Sequence, residues 1–467
     1  MTKQSLSSIS TEPLSSPRTV LILLTLTFAV NFADRTIINT VGEAIKQDLQ
    51  LSDMQLGLLG GLSFAFLYSI VGIPLARLAD RVRRKRLLAV AIGFWSLATM
   101  MCATATGYIS LLLWRMGVGV GEAAGSPTSQ SIITDYFPAE KRASAISILY
   151  LGIPLGIICS ALGTGYIVEH FGWRYAFLIV GAPGLLLAAV IALVLKEPPR
   201  GRFDPAGSMS GPTPTTRDVV NHMVRTPGLM FVAFGIMFAG MSGYAFGQFF
   251  HPLLVRFSGM GYANAAAVFG IVSVLTFGVG SPLGGYLVER FGKSDPSITC
   301  RIPAIGIALS VPLKVLGFIS GSTTTMIVMI VLGGIVFNMY HGPAFAAIHN
   351  RTPPMMRATA TAVAIFLSAF VGLGMGPLLA GLLSDILMNT MYAGPGSFAT
   401  SCGHQALAAD PSLTSFCTSA SGEGLRYALA GAQVFSVLAA ISFAMAGKQM
   451  LLPTPGSNGA VPSASEL

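Results

Sequence analysis

The chain has 467 residues, of which 53% are hydrophobic and only 10% charged, with a formal net charge of +9. Soluble domains carry about 25% charged residues, so this composition excludes an ordinary water-soluble protein. The excess positive charge is dispersed between apolar stretches rather than gathered on one face, which argues against a nucleic-acid partner.

Residues 1–18 are polar, and no short apolar region with a small-residue cleavage site precedes the first span, so a removed signal peptide is not expected. Apolar stretches long enough to cross a bilayer, which takes about 20 residues, then recur along the chain. Twelve are expected, at 19–40, 54–79, 87–106, 108–134, 143–168, 175–195, 228–254, 263–288, 302–320, 325–348, 358–386 and 425–447. The expected fold is an all-α membrane protein. With the N-terminus inside, the segments on that side hold Arg81, Arg83 to Arg86, Lys141, Arg142, Lys196, Arg200 and Arg351 among others. The opposite segments hold little beyond Lys46, Arg174, Arg256 and Arg426. That bias puts both termini, 1–18 and 451–467, in the cytoplasm of a multi-pass protein of the cell (inner) membrane.

The first span carries Asp34 and Arg35, and the fourth carries Arg115 and Glu122. A charge at the bilayer centre costs roughly 2.5–3.5 kcal/mol on insertion scales, so such residues face water or a partner and mark a pathway. Arg115 and Glu122 lie two helical turns apart on one face, among Gly117, Gly119, Gly121 and Gly125, which let a neighbouring helix approach. At about 1.5 Å per residue, Asp34 and Arg115 fall in the outer third of the bilayer and Glu122 about 10 Å deeper. Asp34 is expected to pair with Arg115 or with Arg35, and Glu122 to accept the proton; the alternative is a static ion pair pinning the two helices.

An internal duplication follows. Asp80 in PLARLADRVRRKR (74–86) corresponds to Glu289 in PLGGYLVERFGK (282–293) at an offset of 209. Gly165-x-x-x-Glu169 corresponds to Gly381-x-x-x-Asp385 at 216, as do Gly117, Pro127 and Lys141 to Gly333, Pro343 and Arg357. Two pseudo-symmetric six-helix bundles are therefore expected, 19–195 and 227–450, joined by a Pro-, Gly- and charge-rich linker at 196–226 in which 216–224 forms a short amphipathic surface helix. Such pairing is the architecture of alternating-access carriers.

The second half lacks matching charges: Val331 stands opposite Arg115 and Asn338 opposite Glu122. Span ten offers Asn338, Tyr340 and His341 as neutral donors, although a buried His more often satisfies a neighbouring helix. Tyr244 belongs to an aromatic and Met stripe on span seven that suits either a greasy ligand wall or plain helix packing. Lys314 is expected to snorkel to the outer side, with attraction of an anion as the alternative. Cys102, Cys159 and Cys300 read as small apolar filler. Cys402 and Cys417 share the loop 387–423, which faces the oxidising side, and are expected to form a disulfide. No metal-ligand spacing occurs, and no phosphate-cradling loop, His-Glu-x-x-His or paired nucleophile and base supports an enzyme or ATP drive.

The segment PLARLADRVRRKR resembles the signature loop of the major facilitator superfamily, with Ala76 and Arg83 in place of two glycines. The resemblance implies that Asp80 latches the halves by accepting hydrogen bonds from the start of span eleven near Arg357, with Arg81 and Glu289 in the same gating set. For the basic run, anchoring to anionic lipid is the alternative. NFADRTIINTV, GVGVGEAAGSPTSQSIITDYFPAEKRA and GWRYAFLIVGAPGLLLA further resemble the Spinster branch, over nearly all of 19–386. That resemblance implies a proton-coupled carrier without a cofactor, its cargo an amphiphilic, lysolipid-like anion. Asp34, Arg35, Arg115 and Glu122 would form the coupling and headgroup set. A small organic anion or drug-like compound is the second cargo class, and a non-transporting sensor a distant third. A monomer is the family default.

Overall fold

The computed structural model describes residues 15–79, 81–199, 202–203, 214–292, 295, 297–402 and 410–452, and every regular element among them is helical. The first half comprises α1 (Pro17–Leu49), α2 (Asp53–Gly60), α3 (Leu62–Ala79), α4 (Arg84–Cys102), α5 (Tyr108–Glu122), α6 (Gly125–Tyr136), α7 (Ala139–Tyr150), α8 (Gly152–Phe171) and α9 (Trp173–Val194). A surface helix, α10 (Thr216–Arg225), precedes the second half. There follow α11 (Leu229–Ser258), α12 (Tyr262–Phe291), α13 (Ile298–Ile319), α14 (Thr323–Asn338), α15 (His341–Asn350), α16 (Arg357–Leu367) and α17 (Gly374–Met391), with a π-helical turn, Ser368–Leu373, between the last two. The chain closes with α18 (Phe398–Ser401), α19 (Thr414–Gly431) and α20 (Gln433–Gln449).

Among the described residues, eleven stretches are long and apolar enough to cross a membrane. They match all the expected spans but the fourth, which carries Arg115 and Glu122 and is built as the two shorter helices α5 and α6. The first span runs beyond its expected end at 40 to Leu49, because Val41 and Ile45 are fully buried and Gln50, in the left-handed region, closes the helix by donating its N–H to Lys46 O. The outer loop expected at 387–423 is shorter than that, since α17 continues to Met391 and α19 begins at Thr414.

Local signals set the helix ends. Ser16 caps α1 with Pro17 behind it, and Ser52 and Gln55 form a capping box at α2. Thr215 and Asp218 form another at α10, where the Thr215 hydroxyl and N–H hold the Asp218 carboxyl below the usual carboxylate range. The apolar face of α10 buries Val219 and Met223 beside α11 and α16.

Ser15 Oγ donates to Val194 O at 2.8 Å, and Gln449 Oε1 accepts from Gly228 N at 2.9 Å. These contacts place the start of α1 beside the end of α9 and the start of α11 beside the end of α20. Both described ends of the chain therefore lie at one end of the bundle, here the terminal end. At the opposite, far end, α2 crosses α17 and α8 crosses α12. Gly165 permits the second crossing, since a Cβ there would lie 3.1 Å from Tyr262 O, and Gly381 permits the first by facing Asp53 O.

Candidate functional site in the middle of the bundle

The second residue of the Asp-Arg pair on α1 reaches α5. Arg35 Nε and Nη2 donate to Glu122 Oε2 at 3.2 and 3.0 Å. The Glu122 side chain is fully buried, whereas that of Arg35 keeps 19% exposure in mid-helix. Three rings surround the guanidinium, with Phe32, Phe64 and Tyr68 centred 5.1, 4.8 and 5.0 Å away. Ring faces attract a cation, so Arg35 is held in an aromatic cage with one carboxylate as counter-ion. Removing one partner of such a buried pair strands a charge, which typically costs 3–5 kcal/mol.

The expected ion pair of Asp34 with Arg115 or Arg35 is absent. Arg115 Nη1 donates instead to the backbone oxygen of Asp34, at 3.2 Å, and its Nε and Nη2 have no hydrogen-bond partner. The Asp34 carboxylate is wholly buried beside Trp95, Thr99 and Arg115 and forms no ion pair with either arginine. Neighbouring positions on a helix point about 100° apart, so Asp34 turns into the first bundle while Arg35 turns out of it. Glycine makes the arrangement possible. A Cβ at Gly119 would lie 2.8 Å from Phe64 O, and one at Gly121 would lie 2.6 Å from Trp95 Cβ, so α5 sits against α3 and α4.

Across the interface, Tyr244 of α11 is 36% exposed and lies within electrostatic reach of Arg35. His341 stacks on Tyr340 with centroids 4.1 Å apart and meets Phe277 edge-on at 5.0 Å. Asn338 spends its amide donor on Gly334 O, one turn back, at 2.8 Å, so that donor is turned into its own helix. Lys314 departs from expectation. It does not snorkel but is 3% exposed, with its ammonium 3.6 Å from the centre of the Phe337 ring.

Of the gating set, Asp80 lies outside the described residues. Arg81, Glu289 and Arg357 are exposed at the terminal end, and Arg357 Nε donates to Thr352 O at 3.1 Å, within its own segment. The prominent charge cluster is at the far end and was not singled out from sequence. Arg256 of α11 donates from Nη1 and Nη2 to Asp53 and from Nε to Glu43, each at 2.7 Å. Lys46 Nζ and Ser384 Oγ add bonds of 2.7 and 2.6 Å to Asp53. Asp385 accepts from the N–H groups of Asp53 and Met54 at 2.8 Å, and Glu169 accepts from Ala263 N at 2.8 Å. Each half thus caps a helix start of the other with the acid of a Gly-x-x-x-acid element. The duplicated motif was visible; its contact was not. Also at the far end, Cys402 and Cys417 are joined in a disulfide with Cα atoms 5.5 Å apart.

The sequence profile of the Major Facilitator Superfamily matches residues 24–377. An MFS-type efflux pump of Mycolicibacterium smegmatis is 29% identical over 79% of this chain and 85% of its own length. Protein spinster homolog 1 of Xenopus tropicalis is 26% identical over 79% of this chain and 73% of its own. The crystal structure of a bacterial homologue of the human lysosomal transporter Spinster, inward-facing and unoccupied, superposes with a TM-score of 0.85 at 31% identity, covering 95% of this chain and 98% of that one. This chain belongs to the Major Facilitator Superfamily, as a Spinster-like multi-pass membrane transporter and not an enzyme.

Proposed function

We propose that the protein is a proton-coupled secondary transporter that moves an amphiphilic, lysolipid-like anion by alternating access. In this reading α5–α6 also crosses the membrane, giving twelve spans in two six-helix bundles (19–195 and 227–450) around the linker 196–226. Both termini face the cytoplasm of a bacterial inner membrane, the far end faces outward, and the monomer is the working unit.

The observation that carries the reading is the Arg35–Glu122 pair, a caged cation, 19% exposed, that holds a single buried carboxylate within the bundle. Arg35 can serve Glu122 or an incoming anionic head, and not both fully. A proton on Glu122 cancels its charge and frees Arg35 for the cargo. Proton and anion then favour each other's binding, as linkage requires. Arg115, pointing at the Asp34 carbonyl with two donor atoms unused, holds a positive field behind Glu122, and Asp34 is a second carboxylate able to take up the proton. Tyr244, Tyr340 and His341 offer the opposite, largely aromatic wall, suited to an apolar tail. The far-end cluster around Arg256 and Asp53 closes the outer side, and the inward-facing Spinster homologue supports that assignment.

The test is proton uptake by proteoliposomes on addition of a single-chain alkyl phosphate. Uptake that disappears in E122Q supports the proposal, and cargo flux without proton movement rejects the coupling. A second reading, export of a drug-like or small organic anion, draws on the likeness to the mycobacterial efflux pump. It requires short-chain anions to move as fast as long-chain ones.

A further inference from the structure

One buried cation of the second half has no part in the scheme above. Lys314 of α13 is 3% exposed. Its stem passes Gly333, where a Cβ would lie 2.9 Å from Lys314 Cγ. The ammonium lies 3.6 Å from the ring centre of Phe337 and 6.0 Å from that of Phe246. Among the described residues no carboxylate pairs with it, and no other ionisable group acts on its charge.

Arg35 provides the comparison. Both cations sit against aromatic rings within the bundle, but Arg35 also has Glu122. Ring faces return only part of the hydration that a buried ammonium gives up. A buried ammonium without a counter-ion either gives up its proton or takes up an anion, and the rings around Lys314 supply no charged side chain. The far edge of Phe337 lies beside Gly243 of α11, with a Cβ there 3.7 Å from the ring, and Tyr244 next in sequence opens toward Arg35. The Phe337 ring thus borders both the ammonium and the α11 backbone at Gly243.

We propose that Lys314 is a second anion-binding site, in the half of the protein that lacks arginines at the matching positions, and that it takes a carboxylate or phosphate group when Phe337 turns aside. The anion is the head of the cargo or a free inorganic anion, and the inference rests on the cargo reading given above. The long lysine reaches from α13 past Gly333, and the anion enters from the Tyr244 side. An amphiphile held at Arg35 by the first half is thereby offered a cation by the second half as well, so both bundles hold cargo as they rock.

The test compares the parent with K314M, which keeps the length and removes the charge, and K314R, which keeps the charge. The probes are dodecyl phosphate, an uncharged dodecyl glycoside and inorganic phosphate. Dodecyl phosphate is expected to bind K314M about tenfold more weakly or worse, the loss of a charge-assisted contact, with K314R near the parent and the glycoside unaffected. Unliganded K314M should melt higher than the parent, because an unpaired buried polar group has gone, and should gain less on adding dodecyl phosphate. Inorganic phosphate that stabilises the parent and not K314M identifies a free anion as the occupant; its inertness identifies the cargo head. Equal binding of dodecyl phosphate by K314M and the parent overturns the proposal and leaves the cargo reading standing. If the parent binds no anionic amphiphile, both fall.

Discussion

Arg256 and Asp53 face each other across the two halves with two parallel hydrogen bonds of 2.7 Å, at the end of the bundle remote from both described chain ends. Asp53 is fully buried and Arg256 8% exposed, so the pair is shielded from solvent. Since Ser384 of the second half also bonds to Asp53, and Arg256 also bonds to Glu43, parting the halves must break several bonds together.

Replacing one member should therefore loosen the far end. In R256M, Asp53 and Glu43 lose their shared counter-ion, a change that costs roughly 3–5 kcal/mol when a buried charge is stranded. Spin labels placed on either side of the far end should report a longer mean distance in R256M than in the parent. An unchanged distance distribution would show that the cluster does not hold the gate.

The glycines of α5 should tolerate no side chain where they meet a neighbour. Gly121→Ala drives a Cβ to 2.6 Å from Trp95 Cβ and 2.9 Å from its backbone nitrogen, and overpacking of this kind costs about 1–3 kcal/mol. Gly163→Ala, whose Cβ would meet nothing within 4 Å, is the matched control and should be neutral or slightly stabilising. Thermal unfolding in detergent distinguishes them. Equal melting of the two variants would contradict the close packing of α5 on α4.

Thiol counting checks the far-end loop. Five cysteines are present and two are joined, so the unfolded, unreduced chain should react with three equivalents of a thiol reagent, and with five after reduction. Five equivalents before reduction would remove the bridge.

Most of the helices were legible because apolar length and flanking caps are local properties, and the capping boxes at Ser52 and Thr215 are written in a few consecutive residues. The proximity of Asp34, Arg35, Arg115 and Glu122 was legible, and their pairing was not. Asp34 and Arg35 are adjacent, and only the rotation of α1 decides which one meets Glu122. Lys314 was misread for the same reason: a snorkelling lysine presupposes a lipid-facing helix side, and α13 turns that side inward. The far-end cluster draws Glu43, Lys46, Asp53, Arg256 and Ser384 from four helices. Each looks like an ordinary helix-end residue until tertiary packing brings them together.

In the proposed coupling, Glu122 and an anionic cargo compete for Arg35, with a proton on Glu122 deciding the outcome. This competition is tested most directly by the affinity for dodecyl phosphate as a function of pH, over the range in which the ligand's own charge is constant, in the parent and in E122Q. The parent should bind more weakly as pH rises and Glu122 reclaims Arg35, while E122Q should bind tightly and with little pH dependence. A pH profile in E122Q that matches the parent would contradict the account.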